Sequence, residues 1–145
     1  MEKLTFESVR AGQKLPSISH TVDQDMFWKY AVASFDYNPV HCDPNWVATA
    51  QPFGIPETVA HGMMTWSFMV SVATSWAYAS MLKITKLSAK FVKPVPKGTT
   101  VICSGIISEK HVISPGKSYV VLDLKAENLN GEAVGIGQAV VAFPD

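Results

Sequence analysis

The stretch VAHGMMTWSFMVSVATSWAYASML, residues 59–82, contains no Lys, Arg, Asp or Glu. An uncharged run of this length could span a bilayer, which takes about 20 apolar residues. Hydroxyl side chains are spread through it, however, and it also contains His61 and Gly62. We therefore predict a helix over residues 61–82 that is buried on most of its sides inside a soluble domain, and no membrane span.

The pattern changes after residue 83 to the alternation that is typical of β-strands. Leu87, Ala89 and Phe91 alternate with Ser88 and Lys90, which predicts a strand with one buried and one exposed face. Further strands are predicted at 99–113, 118–128 and 132–143, with turns at 94–98, 114–117 and 128–131. A helix followed by a run of antiparallel strands predicts an α+β fold in which the sheet packs on that helix.

The first half of the chain is less regular. Residues 3–23 are expected to be irregular or extended, and 23–34 to form a short helix capped by Asp23. Asp43 and Pro44 have the chemistry of an N-cap and a first helical position, so a second short helix is predicted at 44–51. Because neither a linker nor a repeat divides these segments, we expect a single domain over residues 1–145.

The composition limits the classes of function. The chain is 48% hydrophobic and only 17% charged, which suggests that a partner subunit covers part of its apolar surface. Twelve basic residues balance twelve acidic ones, so the net charge does not favour binding to nucleic acid or to an anionic membrane. The two cysteines lack the spacing of a zinc site or a disulfide framework, and the charged start does not resemble a signal peptide, so we expect a cytoplasmic protein.

The turn SFDYNPVHCDP, residues 34–44, is the first candidate for chemistry. It places Asp36, Asn38 and His41 around Pro39. An imidazole accepts a proton near neutral pH, and a carboxylate close to it can orient or share that proton. The residues alone leave a second interpretation open, because Asp and Asn are also common in turns that have no catalytic role.

The segment TVAHGMM, residues 58–64, is the second candidate. Gly62 lies where the long apolar helix is predicted to begin, so another group can approach its backbone closely. The free N–H groups and the dipole at a helix start favour negative charge, which predicts an oxyanion hole. The alternative is that His61 caps the helix and Gly62 merely eases packing.

Together these segments resemble a known family. DYNPVHCDP (36–44) is similar to the Asp-x-Asn-Pro-x-His motif of the MaoC-like dehydratases, the (R)-specific enoyl-CoA hydratases, and VAHGMM (59–64) is similar to their Ala-His-Gly-Met segment. KFVKPVPKGTTV (90–101) resembles their Phe-x-x-Pro-Val-x-x-Gly-Asp turn, with Thr99 where Asp is common. The resemblance covers roughly residues 10–143.

The resemblance implies a hot-dog fold, in which a curved antiparallel sheet wraps a long central helix, and a homodimer or higher homo-oligomer. It implies reversible hydration of a trans-2-enoyl thioester of CoA or acyl carrier protein, with no metal or redox cofactor. Asp36 and His41 match the catalytic pair, and Gly62 matches the backbone donor to the thioester oxygen. Asn38, His61 and Phe35 are expected to shape the site; Phe35 stands where the family often has Gly, which leaves the substrate preference open.

Two other functions stay open at this point. A hot-dog acyl-CoA thioesterase would use a carboxylate on or near the long helix, and residues 61–82 contain none. One subunit of a hetero-oligomeric dehydratase is the second alternative, although an inactive subunit would have little need for both Asp36 and His41. Cys42 adjoins His41, but neighbouring residues in an extended turn point apart, so a Cys–His nucleophile is not expected.

Overall fold

The computed structural model describes residues 3–144. Four helices and five strands follow one another in the order β1 (Ile18–Thr21), α1 (Gln24–Ser34), α2 (Pro39–Cys42), α3 (Pro44–Ala50), α4 (Gly62–Tyr78), β2 (Lys83–Phe91), β3 (Thr100–Ser114), β4 (Lys117–Glu127) and β5 (Ala133–Pro144). The long helix therefore precedes a run of strands, as the pattern predicted. Strands β3, β4 and β5 form an antiparallel meander, whereas β2, which was predicted to open it, pairs with β5 and not with β3.

The five strands form one antiparallel sheet in the order β1-β3-β4-β5-β2. Irregular register in β2, β3 and β4 bends the strands, and the sheet curls around α4, which contacts all five of them. The core between helix and sheet consists of fully buried apolar side chains, among them Met69, Val72, Ile107, Val120 and Leu122. This arrangement is the α+β hot-dog fold that the resemblance implied.

Helix α4 is shorter and less enclosed than predicted. It ends at Tyr78, and the chain leaves it through Met81, which has a left-handed φ of 53°. The Leu82 N–H returns to the Ala77 carbonyl oxygen at 3.2 Å, which closes the helix end, and pairing with β5 begins at Lys83. Met63 and Tyr78 are exposed, so one face of the helix is open in the single chain. Within residues 3–144, no helix is long and apolar enough to cross a membrane.

The short helices start at the caps that the sequence indicated. The Asp23 carboxylate accepts the Met26 N–H at 2.8 Å, and the Asp43 carboxylate accepts the Trp46 N–H at 2.9 Å. Helix α2 was not predicted, because residues 36–42 were interpreted as a turn. Its start has the same chemistry as that of α3: the Asn38 side chain caps the Val40 N–H at 3.2 Å, and Pro39 follows.

Candidate active site

The reversal between α1 and α2 carries the candidate acid. Helix α1 ends at Ser34 and is followed by Phe35, whose φ of 59° is left-handed, and the chain then turns through Asp36 into α2. A left-handed conformation costs a residue with a β-carbon about 1–2 kcal/mol. The Phe35 side chain is 82% exposed, so no burial of its ring in this chain offsets that cost. The Asp36 carboxylate is exposed too, and among residues 3–144 it accepts one long hydrogen bond, from the Asn38 N–H at 3.3 Å.

His41 lies on α2 and is half-buried, with one ring nitrogen engaged. Its Nδ1 is 2.7 Å from the Val59 carbonyl oxygen. Because a carbonyl oxygen can only accept, Nδ1 is the donor, and in the neutral ring the lone pair is on Nε2. Burial lowers the pKa of His41 below the ordinary histidine value, against the opposing effect of the Val59 hydrogen bond. The ring is therefore held in the tautomer and the charge state that suit a base.

Helix α1 holds α2 in place through hydrogen bonds that the sequence analysis did not predict. The Gln24 side-chain amide donates to the His41 carbonyl oxygen at 2.8 Å, and the Trp28 indole donates to the Cys42 carbonyl oxygen at 2.9 Å. The other end of Gln24 accepts the hydroxyl of the fully buried Thr58 at 2.5 Å. Carbonyls at a helix end lack partners within the helix, so these bonds stabilise α2. The only signal in the sequence is that Gln24 and Trp28 are four residues apart and share a helix face.

The third motif has a structural role at the site. Residues 58–61 lie between α2 and the turn at 94–98: the Val59 N–H donates to the Val40 carbonyl oxygen at 3.1 Å, and the Ala60 N–H donates to the Val95 carbonyl oxygen at 2.8 Å. The Lys97 N–H donates to the Thr58 carbonyl oxygen at 3.0 Å. The turn therefore fixes the segment that presents the Val59 carbonyl to His41 and leads into Gly62.

Gly62 is the first residue of α4. Within residues 3–144 its N–H has no acceptor, and His61, which precedes it, makes no side-chain capping bond. The expected alternative that His61 caps the helix is therefore not what the structure has. A β-carbon on residue 62 would lie 3.1 Å from the ring of Phe91, so the glycine makes room for that ring. An unpaired N–H at the start of a 17-residue helix can stabilise an oxyanion.

His61 links the two motifs. It is 1% exposed, and its Nε2 donates to the backbone oxygen of Asp36 at 3.0 Å. Its ring stacks on His41 with the centroids 3.9 Å apart and 25° between the planes, and Tyr30 is tilted against it at 4.7 Å. The buried Nδ1 of His61 has no hydrogen-bond partner among the described residues.

One carboxylate oxygen of Asp36 and one ring nitrogen from each of His41 and His61 lie within 4.8 Å of one another. Within residues 3–144, these three side chains form the group whose spacing could hold a metal ion. Each imidazole already uses one nitrogen on a backbone carbonyl, which leaves His41 one nitrogen for further chemistry. The same spacing can hold one water, because two hydrogen bonds of about 2.8 Å that meet at an angle span such a gap.

A cavity of about 260 Å³ opens beside His41, and neither Asp36 nor His61 is part of its lining. His41, Gly62 and Thr65 line it together with apolar side chains that include Phe53, Phe91 and Val95. A larger groove of about 860 Å³ crosses strands β2 to β5 at Ser88, Ser104, Asp123 and Gln138, and its lining includes none of Asp36, His41, His61 and Gly62. The smaller cavity is therefore the candidate substrate site, because it brings an apolar wall to the imidazole and to the free N–H.

Cys42 does not join this chemistry as a nucleophile. Burial raises the pKa of its thiol, so less of it is thiolate near neutral pH. Its sulfur is 4.0 Å from the Asp36 backbone oxygen, where it is a weak donor. Cys103 is fully buried in β3, and burial raises its pKa to about 12.

This chain is similar to known proteins in both sequence and fold. The family model of the MaoC like domain matches residues 7–128. The chain is 27% identical over 139 residues to the (R)-specific enoyl-CoA hydratase of Rhodospirillum rubrum, which covers 96% of this chain and 91% of that protein. It is 30% identical over 121 residues to Nodulation protein N of Rhizobium leguminosarum bv. viciae. That alignment covers 75% of this chain and 71% of that protein.

The solved structure of an (R)-hydratase from A. caviae that is involved in PHA biosynthesis superposes with a TM-score of 0.82 at 25% identity, over 95% of this chain and 99% of that one. The match to the family model includes the two motifs that meet at the start of α4 and the turn that supports them. The chain is therefore a member of the MaoC-like domain family.

Proposed function

We propose that this protein catalyses the reversible hydration of a trans-2-enoyl thioester of CoA or acyl carrier protein to the (R)-3-hydroxyacyl thioester. One observation carries the proposal: a carboxylate and an imidazole nitrogen lie within 4.8 Å of each other, and the imidazole lines one cavity with the unpaired Gly62 N–H. The names of the similar hydratases supply the substrate class and the stereochemistry.

In this mechanism Asp36 and His41 hold the reacting water between them. The water oxygen forms a bond to C3 of the substrate while Nε2 of His41 removes one of its protons and Asp36 orients it. The π electrons of the C2–C3 bond move toward the thioester carbonyl, and the proton is then delivered to C2 on the same face. The reverse sequence dehydrates the (R)-3-hydroxyacyl thioester, and neither direction requires a metal or a redox cofactor.

The Gly62 N–H stabilises the enolate that forms during water attack. Loss of one such donor typically costs about 2.7–4 kcal/mol in the transition state. The apolar side chains around the cavity support this role, because they exclude water and strengthen the hydrogen bond to the developing charge. Phe53 and Phe91 are half-exposed walls of the same cavity and would contact the acyl chain.

A thioesterase would use a carboxylate on or near α4, and the helix has none. None of the residues Gly62–Tyr78 is an Asp or a Glu, so the helix offers no carboxylate to activate water against the thioester carbon. The only carboxylate in the cluster at the cavity is that of Asp36, which lies beside His41. This arrangement favours water addition at C3.

We also propose that the protein acts as a homo-oligomer in the cytoplasm. Strand β2 lies at an edge of the sheet, and its Leu87 and Phe91 are 40% and 48% exposed. Met63 on the open face of α4 is exposed as well. A second copy of the chain that pairs along β2 would cover this surface and close the cavity beside Phe91. Both cysteines are free thiols, which suits a reducing compartment.

A paired assay tests the function. Purified protein is mixed with trans-2-enoyl-CoAs of increasing chain length, and the loss of enoyl absorbance and the release of free thiol are followed together. Hydration predicts that absorbance is lost without thiol, that the product is the (R)-3-hydroxyacyl-CoA, and that EDTA leaves the rate unchanged. Thiol release at the rate of absorbance loss would establish the thioesterase instead, and activity that appears only with a second, different subunit would establish the hetero-oligomer.

A further inference from the structure

We propose that His61 is a positioning residue that sets the distance between the carboxylate of Asp36 and the ring of His41. The inference rests on the proposed function, because it assigns a role within the same site. His61 is not one of the two proposed catalytic residues, yet its buried side chain contacts both of them. It contacts Asp36 through a hydrogen bond and His41 through a stacked ring.

The hydrogen bond is the strongest anchor on Asp36. Asp36 lies in the reversal between α1 and α2, and its other hydrogen bonds are long or weak. They are 3.4 Å from its N–H to the Ser34 hydroxyl, 3.3 Å from the Asn38 N–H to its carboxylate, and 4.0 Å from the Cys42 sulfur to its backbone oxygen. The Nε2–H of His61 reaches its backbone oxygen at 3.0 Å. Because the His61 side chain is rooted in the segment that leads into α4, this bond ties an exposed turn to the rigid part of the fold.

The stack fixes the plane of His41. The two imidazoles lie 3.9 Å apart at 25°, and Tyr30 supports His61 from another direction at 4.7 Å. His41 is also held by the Val59 carbonyl at Nδ1, so the ring can neither rotate nor shift without the loss of one contact. A water bridge between Asp36 and Nε2 depends on such a fixed geometry, since misplacement by about 1 Å can lower a rate about a hundredfold.

The unpaired Nδ1 of His61 indicates that the role of the imidazole here is to supply the Nε2–H donor. A buried acceptor without a partner costs about 1–3 kcal/mol, and a phenyl ring would fill a similar space without that cost. The Nε2–H bond to Asp36 is what an imidazole supplies here and a phenyl ring does not. A role in packing alone would not account for this choice of side chain.

Two substitutions separate the hydrogen bond from the stack. His61→Phe keeps an aromatic ring and removes the donor, whereas the amide nitrogen of His61→Gln can take the place of Nε2. We expect His61→Phe to lower kcat by about ten- to a hundredfold with KM changed less than about twofold. His61→Gln, which loses the stack but keeps the anchor on Asp36, should lower kcat less. Wild-type kcat in a folded His61→Phe protein, or an equal loss of kcat in both variants, would overturn the proposal.

The pH dependence of kcat/KM is a second test of the proposal, because a packing defect alone would not shift it. The ionisable groups around His41 are Asp36 in the preceding turn, Cys42 on α2, His61 before α4 and Lys93 in the cavity wall. As the two imidazoles take up protons at low pH, repulsion between them lowers the pKa of His41, after the larger effect of burial. Both variants should therefore move the acid limb of kcat/KM to higher pH, and an unmoved limb in both of them would contradict the assigned contact.

A measurement on the unsubstituted protein covers the case in which His61→Phe does not fold. Nitrogen-15 NMR should show a His61 Nε2–H that is protected from exchange, while His61 Nδ1 carries no proton. A rapidly exchanging His61 N–H would overturn the proposal whatever the activity. Conversely, wild-type protein that hydrates no enoyl thioester would end the proposed function, and the shift of the His41 titration in His61→Gln would still test the contact.

Discussion

The ring of Phe91 lies where a side chain on residue 62 would have to go. A β-carbon on Gly62 would be 3.1 Å from two atoms of that ring, which is closer than ordinary van der Waals contact. Phe91 is the last residue of β2, and Gly62 is the first residue of α4, so the contact joins the edge strand to the helix start. The candidate oxyanion donor and one wall of the cavity are therefore set by the same pair of residues.

Gly62→Ala should impair catalysis by displacing Phe91. The alanine keeps the backbone N–H, so the donor remains, but its β-carbon displaces the Phe91 ring, which lines the cavity of about 260 Å³. Steady-state kinetics on crotonyl-CoA should show kcat/KM lower by about tenfold or more, since a small displacement of a positioned group is costly. The double variant Gly62→Ala/Phe91→Leu is the control, because the smaller leucine leaves room for the β-carbon. Failure of the double variant to recover any activity would contradict the steric explanation.

Hydration should persist to lower pH than an ordinary histidine would allow. Burial lowers the pKa of His41, so the ring stays neutral, and able to accept a proton, below the usual histidine value of about 6.5. As pH falls through the lowered pKa, His41 gains a proton and kcat/KM for hydration should fall. The pH dependence of kcat/KM, compared with the His41 titration followed by NMR, checks this sign. An acid limb above about pH 7 would show that His41 is not the base or that its environment differs.

Gln24→Ala should destabilise the protein and loosen the site together. The substitution removes the partner of the His41 carbonyl and of the buried Thr58 hydroxyl. Unpaired buried polar groups cost about 1–3 kcal/mol, so urea unfolding should show a loss in that range, with a lower kcat. Gln138→Ala is the matched control, because its amide bonds the exposed Asp123 on the sheet at 2.8 Å. Equal small losses in both variants would show that Gln24 does not hold α2.

Leu87→Glu should weaken the assembly of the protein. The substitution puts a charge into the apolar part of the exposed edge strand, where we propose that a second copy pairs. Light scattering should give a smaller species than for the wild type, with a matching loss of activity if the partner completes the cavity. Val112→Glu, at a 68% exposed position of β3, is the control and should leave the mass unchanged. An unchanged mass for Leu87→Glu would place the interface elsewhere.

The sequence predicted the elements whose signals are local. Asp23 and Asp43 mark helix starts through cap chemistry, and the alternation in the second half places β3, β4 and β5 to within one or two residues. The end of α4 was predicted too late, because the apolar run continues to Leu82 while the helix closes at Tyr78 through a left-handed Met81. None of residues 78–82 is a glycine or a proline, so local composition gave no stop signal.

The residues that support the site could not be predicted from such local sequence signals. The bond from His61 to the Asp36 carbonyl spans 25 positions, and the bond from Thr58 to Gln24 spans 34. Such contacts depend on how the sheet and helices bring distant segments together, and side-chain identity alone does not reveal them. Motif resemblance suggested Asp36, His41 and Gly62, whereas the roles of Gln24, Trp28 and the 94–98 turn required the structure.

The rate of Asp36→Asn on crotonyl-CoA tests the central claim most directly. The amide is nearly the same size as the carboxylate, and the side chain is exposed, so circular dichroism and the melting temperature should match the wild type. If Asp36 orients the water for His41, kcat should fall by about 10²–10⁴-fold, and His41→Ala should show a similar loss. A folded Asp36→Asn protein that hydrates crotonyl-CoA at the wild-type rate would contradict the proposed mechanism.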